Sequence, residues 1–125
     1  MFLRSILRST RRPDITFHND GRVDISSRIV RALDMKPGDV IDILTGSGEI
    51  FLYVMIPSHK VCGSHEAQCM PTKAGSRNFR ASSVRLCREM LAISRENSRA
   101  RFSSGDLTTV NGHKAICLIP NKTEL

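Results

Sequence analysis

Three tight-turn signals, Asn19-Asp20-Gly21, Gly46-Ser47-Gly48 and Asn111-Gly112, each separate apolar runs too short to be anything but strands. Asn, Asp and Gly tolerate the positive φ that a hairpin turn demands, so each signal marks a reversal between antiparallel neighbours. Before the first turn the chain alternates, with Ile15 and Phe17 on one face between Asp14 and His18; Val23 and Ile25 resume the alternation after it. Ser26-Ser27 offers a hydroxyl N-cap to a helix whose apolar stripe is Ile29, Val30 and Leu33. Lys36-Pro37-Gly38-Asp39 stops that helix, because Pro and Gly cannot continue it cheaply. Val40, Ile41 and Ile43 then form a third strand, and Ile50 to Ile56 a long apolar fourth. The order is strand, turn, strand, helix, strand, turn, strand.

That order recurs further along. Glu66 to Met70 and Asn78 to Ala81 are expected as strands around a Lys73-Ala74-Gly75 turn. Ser82-Ser83 caps a second helix with Val84, Leu86, Cys87, Met90, Leu91 and Ile93 at helical spacing. A third strand lies within Ala100 to Val110, and Ala115 to Ile119 follows the Asn111-Gly112 turn. Two matches support a repeat at residue level: Ile25-Ser26-Ser27 against Ala81-Ser82-Ser83, and the strands running from Gly48 to Pro57 and from Gly112 to Pro120. A period of about 60 residues points to a duplicated unit. Burial supplies the physical reason, since a four-strand unit of about fifty residues cannot cover its own apolar face and a pair of them can. The expected organisation is a basic arm over 1–13, a first half over 14–57, a linker over 58–65, a diverged second half over 66–120 and a tail over 121–125.

Gly21-Arg22-Val23-Asp24-Ile25, Arg28-Ile29-Val30-Arg31-Ala32-Leu33 and Lys36-Pro37-Gly38-Asp39-Val40-Ile41-Asp42-Ile43 together resemble the AbrB/MazE family of swapped-hairpin DNA-binding domains. The family pattern is a Gly-Arg turn, an apolar strand, a short Arg-rich helix ending in Leu, then Gly-Asp and another apolar strand. The resemblance covers residues 14–56. It implies the α+β class: a small β-barrel of two β-β-α-β-β halves, internally duplicated as a pseudo-dimer in the tandem manner of MraZ-type proteins. It also implies that Arg22, Arg28 and Arg31 face DNA. Two departures stand out. Ser26 occupies the place where the family usually has Pro before the helix, and the second half has only Gly75-Ser76-Arg77 where a Gly-Arg turn is expected.

The charge distribution sharpens where a polyanion would sit. The 125 residues carry 19 Lys and Arg against 12 Asp and Glu, a formal charge of +7. Residues 1–12 contribute +4, residues 13–57 contribute −3 and residues 58–125 contribute +6. The half that resembles a DNA binder is therefore the acidic one. A basic face is expected from Lys73, Arg77, Arg80, Arg85, Arg88, Arg95, Arg99 and Arg101, joined by Arg4, Arg8, Arg11 and Arg12 of the arm. Arginines neutralise phosphates, release counterions and can clamp guanine bidentately in the major groove. A merely solvated basic helix is the alternative. RNA is the less favoured polyanion, because one Tyr and five Phe leave few rings to stack unpaired bases. The opening MFLRSILRSTRRP is acid-free and amphipathic, which fits a basic arm or a mitochondrial transit peptide; Pro13 and the strand directly after it favour the arm.

Other chemistry leaves weaker traces. His59, Cys62, His65 and Cys69 have finger-like spacing but lack a long central loop, so zinc stands against a plain linker with one core cysteine. No metal and no cofactor is expected. Cys87 and Cys117 are expected as small core residues. No Walker-type phosphate loop, GxSxG or HExxH occurs, and Asp20, Asp24, Asp39 and Asp42 are taken as surface carboxylates, so no enzyme is expected. The longest apolar run, Ile50 to Pro57, is far short of the ~20 residues a spanning helix needs. No membrane partner is therefore expected. The absence of CxxC pairing and of a secretory signal favours a reduced, cytoplasmic setting. The functional expectation is a non-catalytic DNA-binding regulator, monomeric as a pseudo-dimer or homodimeric, using Arg11, Arg12, Arg22, Arg28, Arg31, Lys73, Arg77, Arg80, Arg85 and Arg88. The alternative is a structural or protein-interaction module that keeps the barrel for assembly.

Overall fold

The computed structural model describes residues 12–121, so Arg11 and the rest of the arm before it, and residues 122–125 of the tail, lie outside the described residues. The elements run β1 (Ile15–His18), β2 (Arg22–Ile25), α1 (Ser27–Ala32), β3 (Val40–Gly46), β4 (Glu49–Ile56), a 3-10 turn (Ser58–Lys60), β5 (Met70–Pro71), β6 (Phe79–Ser82), α2 (Val84–Ser94), β7 (Arg99–Val110) and β8 (His113–Pro120). The expected hairpin turns form as the sequence requires. Ser47 and Gly48 have φ of 53° and 78°, and Asn111 and Gly112 have 52° and 80°, so both two-residue loops hold positive φ at both central positions.

All the strands join one antiparallel sheet in the order β3-β4-β8-β7-β1-β2-β6-β5. The sheet curls until its two ends meet. Val40 bridges Gln68, Ile41 N–H donates to Ala67 O at 3.1 Å, and Cys69 N–H donates to Asp39 O at 2.7 Å. The result is a small α+β fold with a barrel-like sheet and two short helices, in which few strand edges are left open.

The sheet interleaves the two expected halves. β1 pairs with β7, β2 with β6 and β4 with β8, so both hairpins of residues 14–57 lie against strands of the second half. Two registers stand out. Asp24, one residue before Ile25-Ser26-Ser27, lies opposite Arg80, one residue before Ala81-Ser82-Ser83. Leu52, four residues after Gly48, lies opposite Ile116, four residues after Gly112. Inside the sheet a single apolar cluster gathers residues of both halves, among them Ile15, Phe17, Val23, Leu52, Phe79, Phe102 and Ile116. The Phe17 and Phe102 rings meet edge-on at 5.7 Å, a preferred geometry for aromatic pairs.

Three local expectations are corrected. The strand expected over Glu66 to Met70 shrinks to Met70–Pro71 in the ladder, because Ala67 takes a positive φ of 61° and the preceding backbone bonds instead to β6 and to the approach of β3. Ser83 caps α2 as expected, accepting the Leu86 N–H at 3.1 Å, but Ser26 makes no capping bond to α1. Asn78 Oδ1, from the β5–β6 loop, accepts the Ser27 N–H at 2.9 Å instead. Asp39, expected at the surface, is buried and accepts the Lys36 and Ser58 N–H groups, each at 2.7 Å. It ties the stop of α1 to the start of the 3-10 turn.

Gly21 closes the first hairpin with φ of 97°, and a Cβ there would lie 2.9 Å from Val84 Cγ2 at the start of α2. Gly21→Ala is therefore expected to lower stability by about 1–3 kcal/mol, combining backbone strain and overlap. In a Val84→Ala background the loss shrinks, because the 2.9 Å side-chain overlap is removed while the positive-φ strain and the 3.3 Å approach to Val84 N remain; chemical denaturation of the four proteins in this double-mutant cycle measures the side-chain part.

Candidate nucleic-acid interface

Strand alternation decides which side chains reach solvent. In β1 and β7, Ile15, Phe17, Ala100 and Phe102 are buried, which leaves Thr16, His18, Arg99 and Arg101 facing out. In β2 and β6, Val23, Ile25, Phe79 and Ala81 are buried, which turns Arg22, Asp24, Arg80 and Ser82 outward. The registers place these residues side by side: Arg101 opposite Thr16, Thr16 opposite Asp24, and Asp24 opposite Arg80, with Arg99 opposite His18 on the next row. With strands spaced about 4.8 Å apart, Arg101 and Arg80 stand about 14 Å apart at the backbone. No phenyl, phenol or indole ring faces out among these positions.

Asp24 is the centre of a tight polar cluster. Arg80 Nε donates to its Oδ1 at 2.9 Å, and Oδ2 lies 2.9 Å from His18 Nε2 and 3.3 Å from Arg22 Nε. Arg22 Nη2 also lies 3.3 Å from His18 Nε2. Partial burial works to raise the Asp24 carboxyl, but the hydrogen bonds from Arg80 and His18 and the nearby guanidinium charges outweigh it and hold it below the usual range. Arg99 and Arg101 make no ion pair with any other described residue.

An open groove of about 650 Å³ continues from this cluster. Asp24 and Arg80 line it together with Arg12, Arg28, Arg31 and Asn78, among others. Arg28 reaches towards buried Asp14, Nε to Oδ1 at 3.7 Å, and Asp14 in turn accepts the Ser104 N–H and Oγ–H at 2.7 Å each. The structure thus brings Arg12, Arg22, Arg28, Arg31 and Arg80 around one outer face and its groove. Lys73 and Arg77 sit in the exposed β5–β6 loop, next to the groove residues Thr72 and Asn78. Arg99 and Arg101 were legible as basic residues but not as neighbours of Arg22, since only the β1–β7 pairing joins them.

Arg85 and Arg88 lie elsewhere. They project from α2 into a second groove of about 740 Å³, between α2 and β3, with Ile43, Leu86 and Ile93. Arg85 is committed to Glu66: Nη2 to Oε1 is 2.6 Å, and Nε bonds the same carboxylate. Ser83 Oγ donates to Glu66 Oε2 at 2.6 Å. The hydrogen bonds from Arg85, with that from Ser83, hold the Glu66 carboxyl at about 2.

The His59, Cys62, His65 and Cys69 set does not assemble. Cys69 is fully buried with its thiol donating to Ala67 O, whereas His59, Cys62 and His65 are exposed. Among the described residues no group of three or more His, Cys, Asp or Glu side chains is arranged to hold a metal ion. Cys87 is a core residue as expected; Cys117 is only half-buried and faces out. No described helix is long and apolar enough to cross a membrane. No protein-family model, curated protein or solved structure matches the chain.

Two expected outcomes follow from this chemistry. Burial, with the Asp39 charge nearby, pushes the Cys69 thiol up to about 12, and burial pushes Cys87 up to about 11. A thiol reagent at pH 8 should therefore modify exposed Cys62 in the folded protein and reach Cys69 and Cys87 only after unfolding, as mass spectrometry of the labelled peptides reads directly. For Glu66 the folded value lies below the ordinary one near 4.5, so its contribution to stability is present above pH 4.5 and fades as pH falls towards 2. Carboxyl chemical shifts should show a Glu66 midpoint near 2 that returns to the ordinary range in Arg85→Met.

Proposed function

We propose that the chain is an internally duplicated swapped-hairpin barrel of AbrB/MazE type, acting without catalysis as a DNA-binding regulatory protein. What supports the duplication is the register. At both places where corresponding strands of the two halves pair, β2 with β6 and β4 with β8, residues at corresponding positions face each other. A two-fold relation between the halves produces that coincidence, and an unrelated pairing has no reason to. The interleaving of β1 with β7, and of residues 67–69 with the start of β3, is what exchanged hairpins would give.

The observation that carries the DNA reading is the outward face itself. It collects Arg22 from the acidic half with Arg80, Arg99 and Arg101 from the basic half, and runs into the groove with Arg12, Arg28 and Arg31. A cationic surface that draws on both halves and spans several strands suits a stiff polyanion with regularly spaced phosphates. The lack of an outward stacking ring favours duplex over single strands. In this reading Arg22, Arg80, Arg99 and Arg101 contact the backbone and base edges, the groove arginines and the Lys73–Arg77 loop extend the footprint, and Arg85 and Arg88 lie off it.

Titration of a fluorescent duplex at several salt concentrations tests the proposal. Four or more phosphate contacts predict a log–log slope of roughly −4 or steeper; a slope near zero removes DNA as the ligand. Arg99→Ala with Arg101→Ala should weaken duplex binding by about tenfold or more, while Arg85→Ala with Arg88→Ala should change it by less than about twofold. The reverse ranking would move the interface to α2.

A further inference from the structure

Asp24 is the only carboxylate among the outward residues of β1, β2, β6 and the first part of β7, and it stands in the middle of a surface assigned to a polyanion. Towards a bound phosphate a carboxylate at that place is repulsive. We infer that Asp24 is a positioning residue: its carboxylate fixes Arg80, Arg22 and His18 as an ordered donor array for a rigid duplex backbone. The inference rests on the DNA-binding reading above.

Both carboxylate oxygens are used, and by three strands. Oδ1 takes Arg80 of β6, while Oδ2 takes His18 of β1 and Arg22 of β2. Arg80 is hydrogen-bonded through Nε, which sets the plane of its guanidinium and leaves donors at its tip for a further acceptor, while Arg22 is held by charge, with Nε 3.3 Å from Oδ2 and Nη2 against the His18 ring. A free surface arginine loses much rotamer freedom when it binds a phosphate; one already oriented loses less. A duplex presents its phosphates at fixed spacing and benefits from that order. A flexible polyanion adapts to the protein and does not.

Position in the fold explains how the array arose. Asp24 and Arg80 are the corresponding residues of the two halves and face each other directly. In an assembly of two identical units the same residue would meet itself there, and like charges directly opposite are destabilising. Only halves that have diverged can set a carboxylate against a guanidinium at this point.

Asp24→Asn separates the two roles by sign, because it removes a negative charge and also loosens the arginines. If Asp24 positions them, duplex affinity falls by about tenfold, the scale of one charge-assisted hydrogen bond, although the protein has become more positive. Heparin, a flexible polyanion, should bind unchanged or more tightly. Arg80→Lys keeps the charge but lacks Nε, so it should weaken duplex binding several-fold and leave heparin unchanged. Anisotropy titrations of the full chain against a 20-base-pair duplex and against heparin at the same salt, with thermal melts of each variant, read these outcomes. A rise in duplex affinity for Asp24→Asn would mean the carboxylate merely repels. A parallel loss of heparin binding with early melting would make its role purely structural; either result overturns the inference alone. If the unmodified chain fails to bind the duplex, the DNA reading falls and takes this inference with it.

Discussion

Everything in this molecule depends on β2 lying against β6 and β4 against β8. Each of the two strand, strand, helix, strand, strand segments has an apolar sheet face that it cannot cover alone. The cross-pairings close that face around one cluster in which Ile15, Val23 and Leu52 meet Phe79, Phe102 and Ile116. The hairpin turns, the helix caps and the approach of Cys69 to Asp39 all serve this closure. Take the cross-pairing away and both halves expose the same core.

The closure also distributes the charge. Alternation along a strand is a local property, yet it acquires functional meaning only when neighbouring strands are chosen. Arg22 belongs to residues 13–57, with net charge −3, and Arg99 and Arg101 belong to residues 58–125, with net charge +6. β1 stands between them and brings all three onto one surface. Three of the seven carboxylates in residues 13–57 serve structure: Asp39 and Asp14 are buried acceptors of backbone N–H groups, and Asp24 is paired with cations. The formal balance of residues 13–57 therefore understates how basic its outer sheet face is.

Much of the local structure was legible. Asn-Gly and Ser-Gly turns announced the hairpins, because positive φ is costly for most residues and these tolerate it. Ile15, Phe17, Val23 and Ile25 announced their own burial by alternation. The helix of residues 84–94 was legible from its apolar spacing and its Ser83 cap. Where reading failed, a distant group had taken a local role. Ser26 has the right chemistry to cap α1, but Asn78 arrives from the other half and bonds the Ser27 N–H instead. Glu66 to Cys69 has strand-like residues, but its hydrogen bonds are drawn to Asp39, Ile41 and Ser82. His59, Cys62, His65 and Cys69 have ligand chemistry at ligand spacing, but burial of Cys69 in the core separates it from the rest. Arg85 looked available as a cation, and Glu66 claims it.

By itself the sequence determined the element order, the turns, the inward faces of the strands and the sign and approximate location of the excess charge. Those properties follow from φ preferences, side-chain periodicity and composition, which act within a few residues. Tertiary structure alone decided which strands became neighbours, and hence that Arg22, Arg80, Arg99 and Arg101 share a surface while Arg85 and Arg88 do not. It also set Asp24 opposite Arg80. The physical reason is that partner choice in a sheet is governed by burial of a shared apolar face, and that burial is completed only when both halves of the chain are present together.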